Sequence, residues 1–238
     1  MKKEGGMKSW KTTDGSSVVR VLSGGINAYL LTRGEKHLLI DTGIGRNRRN
    51  LRRRLGNLGI GKIDLLVITH AHYDHAGNAA MIRRQYGAKV LVHRTEAGLL
   101  ESAENAPILG TIRLTRFLAG LGTRHPRLLS YPPCRPDILV DERYDLASAG
   151  FDAYVLHTPG HTPGSTSVIV GGELALVGDA LFGVAPRSIF PPFASDRAIV
   201  PESWKKLLET GCRLFLPSHG RVRGRKALES GLRRRSKA

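Results

Sequence analysis

Apolar residues in this chain fall in short runs set off by glycines, prolines and charged clusters. Such runs, rich in Val, Ile and Leu, predict strands rather than long helices. Residues 18–22 and 28–32 read as a strand pair around the turn "SGGIN". A short strand at 37–40 ends at Asp41. The run at 63–69 reads as a buried strand and 89–93 as the next. Further strands are expected at 138–140, 152–156, 167–170, 173–177 and 213–216. Helical spacing covers 46–58, where Leu51, Leu55 and Leu58 recur between arginines. It also covers 78–86, stopped by Gly87, and 95–102, 108–121, 201–210 and 225–235. The stretch "RHPRLLSYPPCRP" (124–136) holds too much proline for a helix or a central strand. Residues 178–200 read as a long loop. Strands and helices are mixed throughout, and the hairpin-like pairs argue against a purely parallel sheet.

No linker divides the chain. Residues 1–238 read as one domain, long enough to bury a sizeable core, with a short basic tail from about 221. No apolar run could span a bilayer, and "MKKEGGMKSW" lacks the apolar core of a signal peptide. A cytoplasmic protein is therefore expected, with no membrane partner and with Cys134 and Cys212 as free thiols. The formal net charge of +17 changes the picture. A field of that sign attracts nucleic acid, anionic lipid or an acidic substrate. In 46–58, however, the arginines alternate with core-type leucines, so a solvated outer helix face is the favoured reading.

The candidate chemistry sits at strand ends. "LLVIT" runs into His70, and "LLVITHAHYDHAG" crowds His70, His72, Asp74 and His75 together. "YVLHTPG" leads to His161, "LALVG" to Asp179 and "LFLPS" to His219, while "LLI" ends at Asp41. Imidazole nitrogen and carboxylate oxygen are ligands that zinc, iron and manganese accept. Two histidines two apart in extended chain point the same way, so His70 and His72 can grip one ion. The turn after them can aim Asp74 and His75 at a second. Buried imidazoles and carboxylates without a cation would carry a desolvation cost with nothing to offset it.

These motifs resemble the metallo-β-lactamase fold hydrolases: "THAHYDHAG" as HxHxDH, then "TPGHTPGS", "GDALF", "PSHG" and "LLIDTG". The resemblance implies an α/β (α+β) fold, an αββα sandwich of two mixed sheets with helices outside. It implies one metal on His70, His72 and His161, a second on Asp74, His75 and His219, and Asp179 bridging. Two divalent ions are implied, zinc first, with iron or manganese as alternatives. Neither cysteine falls in a motif, which separates the chain from the true β-lactamases that use a Cys ligand. The pattern resembles instead the glyoxalase II, lactonase and ribonuclease Z branch.

The expected activity is metal-dependent hydrolysis of an ester, thioester, lactone or similar bond. A hydroxide generated between the two metals would attack, with Asp74 orienting it. The expected substrate is a small molecule, and an anionic one fits the charge. A nuclease of the same fold is the second reading, and a metal-bound binding protein without turnover the third. Asp41 is expected to orient a ligand histidine. His157 is expected near the site but not as a ligand, and His93 as structural. Tyr73 and Asn78, with Phe182, Phe190 and Phe193 in the loop after Asp179, are candidates for substrate contact.

Overall fold

The computed structural model describes residues 2–4, 6–124, 129–186 and 188–235. Two sheets lie face to face. The first takes its strands in chain order: β1 (Lys2–Glu4), β2 (Met7–Lys11), β3 (Ser17–Leu22), β4 (Ala28–Arg33), β5 (Lys36–Ile40), β6 (Leu65–Val67), β7 (Lys89–His93) and β8 (Ile138–Val140). From β1 to β5 it is an antiparallel meander, and from β5 to β8 it is parallel. The second sheet comprises β9 (Arg143–Asp145), β10 (Ala153–His157), β11 (Thr166–Val170), β12 (Leu174–Gly178), β13 (Leu214–Pro217) and β14 (Arg223–Gly224). It is ordered 14-13-12-11-10-9, antiparallel except between β12 and β13.

Seven α-helices occupy the described residues: α1 (Arg48–Asn57), α2 (Tyr73–Ala76), α3 (Ala79–Tyr86), α4 (Arg94–Ser102), α5 (Arg113–Arg124), α6 (Val200–Glu209) and α7 (Arg225–Arg235). The strands are apolar on both faces because both faces are covered. In β4 and β5, Leu31 and Leu38 enter the core between the sheets, with Val155, Val168 and Leu176 opposite. Their neighbours Leu30 and Leu39 face out and pack with Leu51, Leu55 and Ile82 of α1 and α3. On the far side, Ile169 and Phe215 pack against Trp204, Leu207 and Leu228 of α6 and α7. Alternation within a strand thus feeds two cores at once, which makes the αββα sandwich.

Several expectations need correction. The strand at 63–69 pairs only over Leu65–Val67. Beyond it Thr69 crosses to the second sheet, where its carbonyl accepts from Thr166 N–H at 2.9 Å. The helix at 108–121 starts only at Arg113, because Gly110 bridges to Phe193 and Thr111 N–H donates to Pro192 O. Four short strands, β1, β2, β9 and β14, were not anticipated. In the basic segment from 221 the expected helix at 225–235 is α7, which buries Leu228, and the short strand β14 precedes it. Part of the proline-rich connection, 125–128, lies outside the described residues. Both cysteines are buried and free, as expected. The arginines at 46, 48, 49, 52 and 53 face solvent, while Leu51 and Leu55 are buried.

Candidate metal centre

The strand directions gather the site. β5 and β6 run parallel, as do β12 and β13, and β10 runs the same way as β12 through two antiparallel steps. Asp41, His70, His161, Asp179 and His219 each follow one of these strands, so all emerge at one edge of the sandwich. His72 lies just beyond His70, and α2 carries Asp74 and His75. At Asp179 the preceding Gly178 takes φ +51, and a side chain there would press on Thr69 at 2.9 Å.

His70, His72 and His161 form the first group. His70 Nε2 lies 2.9 Å from His72 Nδ1, and His161 Nε2 lies 3.1 Å from both. The outer ring nitrogens fix the tautomers. His72 Nε2–H donates to Ala106 O at 3.0 Å and His161 Nδ1–H to Phe193 O at 2.8 Å. Thr69 Oγ1 donates to the Asp41 carboxylate and can therefore accept from His70 Nδ1–H at 3.1 Å. All three inward nitrogens then carry lone pairs aimed at one another. Nitrogens around a tetrahedral zinc at about 2.0–2.1 Å stand roughly 3.3 Å apart, so this triangle fits a cation. Burial pushes all three imidazoles below their ordinary pKa, His72 to about 3, which keeps them unprotonated.

Asp74, His75 and His219 form the second group, with Asp179 between the two. Asp179 Oδ2 lies 3.5 Å from both His161 Nε2 and His219 Nε2. His219 Nε2 is 3.3 Å from Asp74 Oδ2, and its Nδ1–H donates to Gly25 O at 2.8 Å. His75 Nδ1–H donates to Asp41 Oδ2 at 2.8 Å, leaving Nε2 inward. His75 Nε2 and Asp179 Oδ1 are buried and have no hydrogen-bond partner. Orphaned buried atoms of this kind call for a ligand. Burial alone would push both carboxyls up. His75 and His219 nevertheless hold Asp74 well below the ordinary range, and His219 and His75 bring Asp179 to about 2. The carboxylates in turn outweigh burial at His75 and His219 and raise both imidazoles. The second group therefore attracts positive charge, which a divalent ion supplies.

Asp41 anchors the arrangement. It adopts φ +58, unusual for a residue other than glycine, and is fully buried. Besides His75 it accepts from Thr69 N–H at 2.9 Å and Ser218 Oγ–H at 3.0 Å, so it ties together the ends of β5, β6 and β13. Sequence reasoning missed a second anchor, Glu96 of α4. It is buried and accepts from Ala71 N–H at 2.9 Å and Gly164 N–H at 3.0 Å, clamping the loops that carry His70, His72 and His161. A glutamate in the first turn of a helix looks like a dipole partner in sequence, and nothing local marks it otherwise. Asn105, also missed, accepts from Tyr73 N–H at 2.7 Å.

The metal groups floor a cleft of about 370 Å³ walled by Tyr73, Ile108, Ala119, Leu129, Phe182 and Phe193. Phe182 stacks on His219 at 4.8 Å. Phe190 is not among these walls; it packs edge-on to Trp204 at 5.9 Å and lies under the Arg235 guanidinium. Asn78 is buried and donates to the carbonyls of Thr42 and Ile44, away from the cleft. His157 is also elsewhere. It stacks on His93 at 4.2 Å and bonds Glu142 and Pro163 O, with no hydrogen bond to any of the seven candidate ligands.

Known proteins resemble this chain in sequence and in fold. The family model for the metallo-beta-lactamase superfamily matches residues 23–219. A Methanocaldococcus jannaschii protein named "Probable metallo-hydrolase" is 30% identical over 156 residues, 66% of this chain and 67% of its own length. The hydroxyacylglutathione hydrolase GloC of Haemophilus influenzae is 30% identical over 171 residues, 69% of this chain and 71% of its own. Among solved structures, a subclass B3 metallo-beta-lactamase of Bradyrhizobium japonicum superposes with a TM-score of 0.66 at 21% identity, over 92% of this chain and 88% of its own. That likeness concerns the fold. With the family model matched from before Asp41 through His219, the chain belongs to the metallo-β-lactamase superfamily.

Proposed function

We propose that this protein is a two-metal hydrolase that cleaves an ester, thioester or lactone bond in a small molecule with an apolar acyl portion. The observation that carries the reading is the convergence of three inward lone pairs and two orphaned buried atoms at the floor of an apolar-walled cleft. His70, His72 and His161 would hold one ion, and Asp74, His75 and His219 the other, with Asp179 serving both. Bound there, zinc, or iron or manganese in its place, would supply Lewis acidity and lower the pKa of water toward neutral.

The chain's own residues do the rest. Asp74 is partly open to the cleft and ionised, so it accepts a hydrogen bond from the attacking water and orients it. Tyr73 keeps its phenol protonated, because burial and then the neighbouring Asp74 charge raise its pKa. It can therefore donate to a polar group of the substrate. Phe182, Phe193 and Ile108 exclude bulk water and accept the acyl portion. The relative named as a hydroxyacylglutathione hydrolase supports an acyl substrate.

Elemental analysis of purified protein, joined to a panel of nitrophenyl esters, acyl thioesters, lactones and bis-(nitrophenyl) phosphate, tests the proposal. Two metals per chain and turnover of an acyl substrate are expected. Turnover of the phosphodiester alone would replace this reading with a nuclease. One observation favours that second reading: Arg46, Arg48, Arg49, Arg52 and Arg53 line a groove of about 540 Å³ with Tyr86. A salt-dependent gel shift with RNA would mark it.

A further inference from the structure

The solvent face of α5 is the least expected surface of the molecule. Eight large hydrophobic side chains are exposed among the described residues, and five of them are Leu109, Ile112, Leu114, Phe117 and Leu121. Leu114 and Phe117 are 63% and 64% exposed. At about 100° per residue, Leu114, Phe117 and Leu121 fall within roughly 60° of one another on the helix. They form a stripe, not a scatter. The other side of the same helix is already used: Thr115 is buried and Ala119 walls the cleft.

Along the chain the charge flanking this stripe has one sign, and in space Asp196 and Arg197 share a surface hollow with Leu109 and Arg116. From 106 to 136 the sequence holds no Asp or Glu and five arginines, at 113, 116, 124, 127 and 135. Arg113 and Arg116 are exposed beside the stripe, and among the described residues neither makes an ion pair. Two copies of a chain carrying +17, meeting stripe to stripe, would bring these arginines against each other. A negatively charged partner that tolerates a convex apolar ridge suits the surface instead. No described helix is long and apolar enough to cross a membrane, so the helix could only lie along one. An apolar stripe flanked by arginine, on a helix lying flat, matches the surface of an anionic bilayer.

We propose that α5 docks the protein on an anionic phospholipid surface, with Leu114, Phe117 and Leu121 entering the headgroup boundary and Arg113 and Arg116 pairing with lipid phosphates. The net charge of +17 is compatible with an anionic lipid surface but names no docking face. The side of α5 left in solvent supplies that face. Because Ala119 is on the same helix, docking would bring the wall of the cleft next to the lipid.

Co-sedimentation with phosphatidylcholine vesicles, with and without phosphatidylglycerol, tests this on the full chain. Binding is expected only with phosphatidylglycerol, and it should weaken as salt rises. Replacing Leu114 and Phe117 together by Ser should reduce binding roughly ten- to hundred-fold, from the apolar area no longer inserted. Both side chains are mostly exposed, so the thermal midpoint should hold. Arg113→Glu with Arg116→Glu, which leaves the stripe intact, should also release the protein. Three results would overturn the proposal: no binding to phosphatidylglycerol vesicles, undiminished binding by the Ser pair, or a dimer in sedimentation equilibrium that the Ser pair dissociates.

Discussion

Replacing Asp41 by Asn should cost metal before it costs the fold. The substitution keeps the shape of a residue held at φ +58, a region asparagine tolerates. The new amide oxygen can still accept from Thr69 N–H, now 2.9 Å from Oδ1. Its NH₂ group must then face His75 Nδ1–H across 2.8 Å, donor against donor. The imidazole escapes by moving its proton to Nε2, which removes the lone pair aimed at the second metal group. Loss of such an orienting partner lowers metal affinity by about 10–100-fold, or roughly 1.4–2.7 kcal/mol. Asp41→Ala should be worse. It strands Thr69 N–H, which cannot relocate, and leaves the His75 imidazole without its buried acceptor, at about 1–3 kcal/mol each. Its stability loss is therefore about 2–6 kcal/mol, with strain at positive φ added. Competition of the apo protein with a chromophoric zinc chelator gives the affinities, and urea unfolding gives the stabilities. An Asn variant that binds both metals as tightly as the native chain would sink this account of Asp41.

Three further outcomes are expected. Asp179→Asn should lower the metal content from two ions toward one, read by elemental analysis after dialysis, because Asp179 lies between His161 and His219. Gly77→Ala should destabilise the site, since its Cβ would stand 2.5 Å from Gly43 O and 2.6 Å from Tyr73 O. Backbone cannot yield cheaply there, so urea unfolding should show a loss of about 1–3 kcal/mol, accompanied by weaker metal binding. At Asp64, burial would raise the carboxyl. The His37 N–H at 3.0 Å and the Lys36 and Lys62 charges outweigh it and lower the pKa below 3.8. The folded form then binds its proton less readily than the unfolded chain, so this stabilisation is present above about pH 4 and fades as pH falls. The gap in stability between native protein and Asp64→Asn should be constant near neutrality and close in acid; a gap that widened in acid would reverse the sign.

The candidate His/Asp cluster was legible because it is local chemistry. Each of His70, His161, Asp179 and His219 follows an apolar run, and a strand that ends in such a residue can be seen without knowing its neighbours. The layered fold was legible for a related reason: a strand apolar on both faces needs cover on both. Pairing beyond the β3–β4 hairpin was not legible. β1, β2, β9 and β14 are short or polar and exist because a neighbouring strand supplies the other half of their ladders. Phe190 and Phe193 lie three apart in one loop and looked equivalent, yet one packs on Trp204 and the other walls the cleft.

By itself the sequence determined which side chains can hold metal and which segments become strands or helices, because those properties depend on residue type and spacing. The tertiary structure alone decided what each residue faces. Glu96 becomes a clamp only when the turns at Ala71 and Gly164 close over it. The apolar positions of α5 suit a core and a surface equally, since helical period measures only how residues share a face. Which face meets water is set by the cleft that Ala119 closes, and that leaves Leu114 and Phe117 outside.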